Sequence, residues 1–252
     1  MLLPNLNINI EISQIVKLTT QVFIAWVLCF SSYGQCADNL LNKVKETDTI
    51  HLPAKEKINR WYYLLEKANQ CNVPRDSVYA KIIYSISKLE IEVNNNYNKS
   101  NDLAFQALRL NLTANAGSSK TDAAKNALQL AVNYENSGLS KKALLYFDTC
   151  QMVAERDPVQ PAYILYSKLR RAYLYFLTGD YQKSVEESYT GEQYSILQND
   201  ESYTVEFLNL KAQSLFFQNQ ISAANKSLDT VIKSASLNKY TFELQVPAKQ
   251  KQ

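Results

Sequence analysis

The sequence predicts an all-α fold, built as a solenoid of about four stacked helical hairpins. One observation is the scarcity of turn-forming residues: the 252-residue chain contains only 5 glycines and 6 prolines, fewer than a protein of many short strands needs. The other is a recurring order of side-chain sizes, in which a small residue, a bulky residue, a turn and a second small residue follow one another. The second small residues are Ser100, Ala143, Ser184 and Ala224, at steps of 43, 41 and 40 residues. A near-constant step indicates stacked units of one kind, and the alternative is an irregular helical bundle.

The unit from Asn126 to Cys150 carries this pattern most completely. Its pattern positions are Leu130, Ala131, Tyr134, Gly138, Ala143, Phe147 and Cys150. The small residues let two antiparallel helices approach closely, and the larger ones fill the groove beside them. Because one hairpin cannot bury its own apolar face, we expect copies on either side.

This spacing resembles the tetratricopeptide repeat, whose signature is a leucine and a small residue, a tyrosine three residues on, a later alanine and then an aromatic. Ala127 stands where the family often has tryptophan, and Pro158 comes three residues late for the closing proline. The units exceed the family's period of about 34 residues, which implies roughly one more turn in each helix. The resemblance implies a right-handed α-α superhelix whose first helices line a concave groove for an extended peptide or a partner helix.

Residues 1–35 predict a secretory signal peptide. Lys17 precedes a short apolar run at 22–30, and small residues follow that favour cleavage near Gly34-Gln35. The alternatives are a retained N-terminal anchor and, with Cys36 as the first residue, a lipoprotein. We therefore expect a secreted or periplasmic protein of the cell envelope.

The rest of the chain is predicted to be a polar lead-in at 36–54, a repeat domain at 55–246 and a tail at 247–252. A short helix could start in the lead-in at 39–44. Further helices are predicted over 56–69, 78–93, 100–112, 162–177, 182–197, 204–217 and 221–234, with the hairpin that opens at Thr121-Asp122 between the third and the fourth. Residues 240–246 could begin another first helix, so we expect a fragment or the front of a longer product.

Catalytic and metal-binding patterns are missing from the sequence. The only histidine, His51, lies in a predicted loop, and paired acids such as Glu186-Glu187 and Asp200-Glu201 are typical of solvated helix faces or caps. We find no phosphate-binding loop and no nucleophile elbow, so we predict no enzyme activity, no metal and no cofactor. A Cys36–Cys71 bridge is one alternative for the cysteines, and Cys150 is expected to be a small core residue.

A protein or peptide partner is therefore expected. The net charge of +3 is spread over interleaved acids and bases, which does not favour nucleic acid, and we expect membrane contact only through an uncleaved N-terminal segment. Carried over by position from the resemblance, the candidate groove residues are Gln129, Val132, Glu135, Asn136, Arg170, Tyr173, Phe176, Asn209, Gln213 and Phe216. For Tyr173 and Phe176, packing between neighbouring hairpins is the alternative.

The leading functional hypothesis is a non-catalytic, exported repeat module that binds protein or peptide in this groove. In the alternative, the chain is the N-terminal sensor portion of a larger signalling or protease-like protein whose effector lies beyond Gln252. A third hypothesis is a scaffold without a ligand of its own.

Overall fold

A computed structural model describes residue 36 and residues 38–71, 77–113, 118–156 and 160–238. These residues form helices joined by short turns, and no strand occurs among them, which confirms the predicted all-α solenoid class. The helices are α1 (residues 38–49), α2 (Ala54–Gln70), α3 (Ser77–Asn94), α4 (Tyr97–Thr113), α5 (Ser118–Asn136), α6 (Ser140–Glu155), α7 (Pro161–Leu177), α8 (Tyr181–Leu197), α9 (Glu201–Phe217) and α10 (Ile221–Asn238). The predicted signal peptide, the helix at 240–246 and the tail lie outside the described residues.

The chain divides into two compact units, Met1–Ser100 and Asn101–Gln252, with the boundary inside α4. In the second unit α5–α6, α7–α8 and α9–α10 are successive hairpins, and α6 packs against α7 as α8 packs against α9. Helix α7 also contacts α5 and α9. The first helices of the three hairpins therefore lie next to one another. Among the described residues, no helix combines the length and apolar character that a membrane span requires.

Most predicted helix boundaries lie within four residues of the observed ones, but the lead-in differs. Instead of a short start at 39–44, α1 continues to residue 49 and buries Leu40, Val44 and Thr47. These three residues recur at helical spacing, so they form a narrow buried stripe on an otherwise polar helix. The polar composition of this segment concealed its core contact.

The turns that follow four helices share one backbone geometry. A residue with positive φ stands at Asn95, Gly138, Gly179 and Asn219, at the same steps of 43, 41 and 40 residues that the sequence showed. After the last three, the next backbone N–H donates to the carbonyl five residues earlier; the Leu139 N–H, for example, lies 2.8 Å from the Tyr134 oxygen. After Asn95, the Asn96 N–H donates to the Glu90 carbonyl, six residues earlier. This bond pattern ends a helix sharply at a left-handed residue, which glycine and asparagine adopt most easily.

The second small residue of each repeat lies five positions after the left-handed residue and is buried. Ala143 and Ser184 are fully buried, as are Ser100 and, nearly, Ala224. Where a serine replaces alanine, another serine satisfies its hydroxyl: Ser100 lies 3.1 Å from Ser87, and Ser214 donates to Ser184 at 2.8 Å. In the best hairpin, Leu130, Ala131, Phe147 and Cys150 are also buried, and Tyr134 is partly buried against the same core.

The first unit contains a disulfide and a buried aromatic. Trp61 on α2 is almost completely buried. Cys36 forms a disulfide with Cys71, with 6.1 Å between the two Cα atoms. The bridge that the sequence offered as one alternative is therefore the observed one. The bond joins residues 35 positions apart in sequence and ties the start of α1 to the end of α2.

The first unit also buries a carboxylate. The Glu90 side chain is 1% exposed and accepts hydrogen bonds from Tyr62 Oη and from Asn94 Nδ2 at 2.8 Å, and Lys99 Nζ lies 2.9 Å from it. Burial alone would raise the pKa of Glu90, but the three polar partners outweigh it and lower the pKa below its ordinary value of 4.5. The ionised form is thus the one that the folded chain favours.

In the second unit, α8 and α9 meet at Gly191. A β-carbon added there would overlap the Phe207 ring, whose Cδ1 atom would lie at only 2.6 Å. Phe207 is fully buried, so its ring has no free space into which it could move. The absence of a side chain at Gly191 sets the distance between these two helices.

We expect Gly191→Ala to destabilise the second unit by about 1–3 kcal/mol, as overpacking does, although alanine favours helix. Chemical unfolding monitored by circular dichroism measures the change. Thr190→Ala, at the exposed neighbouring position, is the control and should leave stability nearly unchanged. Adding Phe207→Leu should recover part of the loss; equal losses with and without it would contradict the steric explanation.

A second prediction concerns acid. Because the folded pKa of Glu90 is lowered, its contribution to stability is present above about pH 4.5 and is lost as the pH falls through the folded pKa. Glu90→Gln should therefore destabilise the chain at pH 7, by about 1–3 kcal/mol, and flatten the decline in stability below pH 4.5. Urea unfolding from pH 3 to pH 7 tests this, with the exposed Glu92→Gln as control; unchanged pH profiles would contradict it.

Candidate functional site

The candidate site lies on the adjacent first helices of the second unit, α5, α7 and α9, and we call their shared surface the first-helix face. All ten predicted groove residues lie on these helices, from Gln129 to Phe216. Asn136, Tyr173 and Phe216 are exposed, and the other seven are half-buried. The structure therefore places the predicted set on three neighbouring helices; whether it binds a partner stays a prediction.

The best-defined contact on the first-helix face is the ion pair of Arg170 with Glu135. Arg170 Nε donates to Glu135 Oε2 at 3.1 Å, and the Arg170 NH2 group donates to Oε1. The Glu135 side chain is 10% exposed and that of Arg170 32%. Burial alone would lower the pKa of Arg170, but the bond and charge of Glu135 raise it above its ordinary value. The two bonds form a planar fork that fixes the guanidinium orientation.

Arg170 also contacts an exposed aromatic ring. Its guanidinium carbon lies 5.1 Å from the centre of the Tyr173 ring, within cation–π range. Tyr173 remains 38% exposed. A side chain held in place on one side and open to solvent on the other is well suited to contact a partner, because little rotamer entropy is lost on binding.

Glu206 on α9 continues this row and was missed in the sequence. Burial raises the pKa of Glu206, the charge of Asp200 raises it further, and Arg170 acts in the opposite direction. Burial also raises the pKa of Tyr203, with contributions from Glu206, Asp200 and Tyr166. The Glu206 side chain is exposed, and it lies within electrostatic range of Arg170, Asp200 and Tyr203. Among the residues that the structure describes, none donates a hydrogen bond to its carboxylate.

A spacing in the sequence could have identified this row. Glu135 and Arg170 are 35 residues apart, and Glu206 follows Arg170 after 36. The two intervals are six and four residues shorter than the repeat steps of 41 and 40 residues. The later residue of each pair therefore lies one to two helical turns before the position that the repeat step would give. An acid, a base and an acid at this interval predict a diagonal row across α5, α7 and α9.

Phe176 and Phe216 lie at the turn end of the hairpins rather than near this row. The Phe176 ring packs edge-on against Phe217 at 5.5 Å and lies 5.7 Å from Tyr181, while Phe216 meets Phe217 at 5.9 Å. Phe176 thus joins two hairpins, as the packing alternative proposed. Phe216 is 56% exposed and remains accessible to a partner.

The remaining predicted residues divide between structural and accessible positions. Gln129 donates to Asn133 at 2.7 Å, which in turn donates to Asn101 at 2.8 Å. Val132 packs against the apolar cluster around Phe147. Of the others, Asn136 is exposed and Asn209 and Gln213 are half-buried.

Neither His51 nor Cys150, the two residues considered for their reactive side chains, lies in surroundings that favour catalysis. His51 is exposed in the turn between α1 and α2. Cys150 is fully buried, as expected, and burial raises the pKa of its thiol to about 11. Because the thiolate is the nucleophilic form, this thiol is unreactive near neutral pH.

Comparison with known proteins identifies the fold. No family model matches the chain, and no curated protein matches it. A putative kinesin light chain from Podosopora anserina with TPR-like repeats is similar over 84% of this chain and 96% of its own, at 12% identity and a TM-score of 0.59. BtubC (BKLC) from P. vanneervenii is similar over 91% and 90%, at 12% identity and a TM-score of 0.61.

A third solved structure is a Signal Transduction ATPase with Numerous Domains from Pyrococcus horikoshii, which has a tetratricopeptide repeat sensor. The likeness covers 82% of this chain and 31% of that protein, at 14% identity and a TM-score of 0.61. At such identities the likeness establishes the fold alone. The chain has a fold of the tetratricopeptide-repeat type, as its spacing indicated.

Proposed function

We propose that this chain is a non-catalytic interaction module of tetratricopeptide type, which binds a protein or peptide segment along the first-helix face. The observation that carries the proposal is an exposed side chain on that face whose orientation is fixed by its neighbours. Tyr173 is exposed, but it is held against Arg170, which Glu135 fixes by two hydrogen bonds. A preorganised surface of this kind favours binding over a purely structural role.

The residue types support a polypeptide ligand. Half-buried amides at Asn209 and Gln213 can pair with the backbone of an extended segment, and the exposed rings of Tyr173 and Phe216 offer apolar contact area. Tyrosine and arginine are enriched at the centres of protein interfaces. We find no reaction that these groups would perform together.

An exported location is part of the proposal. It rests on the signal-like sequence at residues 1–35 and is supported by the Cys36–Cys71 disulfide, because such bonds persist in oxidising compartments. The pair lies directly after the expected cleavage position at Gly34-Gln35.

The sensor alternative remains a second candidate. It is favoured by the likeness to a signalling ATPase whose repeats are described as a sensor. The two candidates share the first-helix face and differ in what the natural gene encodes after Gln252, so an in-frame effector or membrane segment there would favour the sensor.

The binding proposal predicts that Tyr173→Ala loses partners that the wild type retains. A display library of short random peptides and an envelope extract serve as separate probes, with capture measured by sequencing and by mass spectrometry. The matched control is Tyr189→Ala, because Tyr189 is 55% exposed but lies on α8. We expect at least about tenfold weaker capture by Tyr173→Ala, as for an interface hot spot. Equal capture by both variants would remove the first-helix face as the binding site.

The location proposal predicts a mature chain that begins near residue 35 and contains one disulfide. Intact mass and peptide mapping of the protein from fractionated cells test both features, with alkylation before lysis to prevent new oxidation. Cys150 should be the single alkylated cysteine of the mature chain after unfolding without reductant. An uncleaved chain with Cys36 and Cys71 both alkylated would contradict the exported location.

A further inference from the structure

We propose that the last hairpin, α9–α10, binds an amphipathic helix of a partner protein, which stacks on it as a further first helix would. The surface consists of Phe216, Ile221 and Ile232, and we call it the open edge. It goes beyond the proposed function, because its ligand is a helix at one end of the array. Of the predicted groove residues, Phe216 alone contributes to it.

In the hairpin before, the residues equivalent to the open edge are covered by α9. Phe176 and Tyr181 stand forty residues before Phe216 and Ile221, at the step of the last repeat. The Phe217 ring lies 5.5 Å from the Phe176 ring and stacks on the Tyr181 ring at 5.2 Å. Both covered residues are half-buried.

The second helices show the same correspondence. Glu192 on α8 stands forty residues before Ile232 on α10. The Glu192 side chain is only 13% exposed, and it pairs with Lys211 of α9. The neighbouring Gly191 lies directly against the Phe207 ring. One face of α9 therefore covers the whole equivalent edge of the hairpin before it.

The open edge is exposed to solvent, although its residues are apolar. Phe216, Ile221 and Ile232 are 56%, 46% and 60% exposed. A terminal repeat of a stacked array needs a polar outer face if nothing packs on it, because an apolar face would be left in water. Three exposed apolar side chains at the stacking positions therefore indicate that another element packs there.

A helix is the occupant that fits, because the interface that would be extended is one between helices. Helix α9 packs against both helices of the preceding hairpin, α7 and α8. Residues 239–252 do not encode a second copy of α9: forty residues after Phe207 the sequence has Pro247, and proline interrupts a helix interior. These observations favour a helix from a partner protein over this segment.

The side chains of α9 specify those of the partner helix. Lys211 meets Glu192, and Phe217, six residues later, meets the aromatic pair of the preceding hairpin. Because Ile232 replaces the acid on the open edge, a basic residue there would be buried without a counter-charge. We therefore expect an apolar side chain against Ile232 and, six positions on, an aromatic side chain against Phe216.

The test uses a fluorescent peptide with the sequence of α9 that carries Lys211→Leu. Binding to the full mature chain is measured by fluorescence anisotropy, and the helix that the short peptide gains on binding by circular dichroism. A second peptide also carries Phe217→Ser. We expect it to bind at least about tenfold more weakly, because the central aromatic contact is lost.

Variants of the full chain assign the binding to the open edge. Ile232→Lys should weaken binding of the first peptide at least about tenfold. The matched control is Leu145→Lys, because Leu145 is also 60% exposed on a second helix but lies on α6; it should bind as the wild type does. Circular dichroism melts confirm that both variants are folded.

Tyr173→Ala separates this inference from the proposed function. It should leave binding of the α9 peptide unchanged, since Tyr173 lies outside the open edge. A loss of binding would move the peptide to the first-helix face and overturn the inference. The proposed function is tested by the same variant with its own probes, so either proposal can fail without the other.

Three further results would overturn the inference. One is that the first peptide does not bind the full chain, or binds Ile232→Lys and Leu145→Lys equally. Another is self-association of the wild type in sedimentation equilibrium that Ile232→Lys abolishes, since the occupant would then be a second copy. The third is a natural gene that encodes the same apolar and aromatic pattern on a helix after Gln252, because the protein would then cover its own edge.

Discussion

Helices in the second unit can stack only where their backbones come close together, and small side chains at fixed positions make that approach possible. Each second small residue comes five positions after a left-handed turn residue, so the turn geometry and the contact point are coupled along the chain. At Gly191 the helices are so close that even a methyl group would overlap Phe207. The repeat is thus a steric rule, in which turn, small residue and partner ring must stay in register.

This register also arranges the charges. Because adjacent first helices contact one another, Glu135 on α5 pairs with Arg170 on α7, and Glu206 on α9 lies within electrostatic range of that arginine. The basic residues on either side of Arg170 in α7 contact the second helix α8 instead, where Lys168 donates to Thr190 and Arg171 pairs with Glu187. A chain with scattered charges in its sequence therefore acquires a distinct electrostatic surface once it is folded.

Much of the fold could be predicted because its signals are local. Apolar periodicity marked the helices, and the alternation of small and bulky residues marked the hairpins from Ser100 to Ala224 and the burial of Cys150. Other features depend on which face of one helix meets another, which no single stretch of sequence encodes. The buried stripe of α1, the overlap at Gly191 and the position of Glu206 are of this kind.

The candidate site shows the same division. Position within the repeat placed the candidate residues, Arg170 and Tyr173 among them, on the three adjacent helices α5, α7 and α9. It could not show that Arg170 pairs with Glu135 or that Phe176 joins two hairpins, since both depend on the offset between neighbouring helices. The choice between the alternatives for Cys36 and Cys71 likewise required the distance between two helix ends.

The burial of Cys150 makes it a natural reporter of motion. Among the described cysteines it is the one that is not in a disulfide, and it lies in an apolar cluster formed by α4, α5, α6 and α7. A thiol reagent can therefore reach it only when these helices separate, so its rate of modification in the native protein measures how often they do. The second unit thus contains a native probe of local opening, and no cysteine has to be introduced to use it.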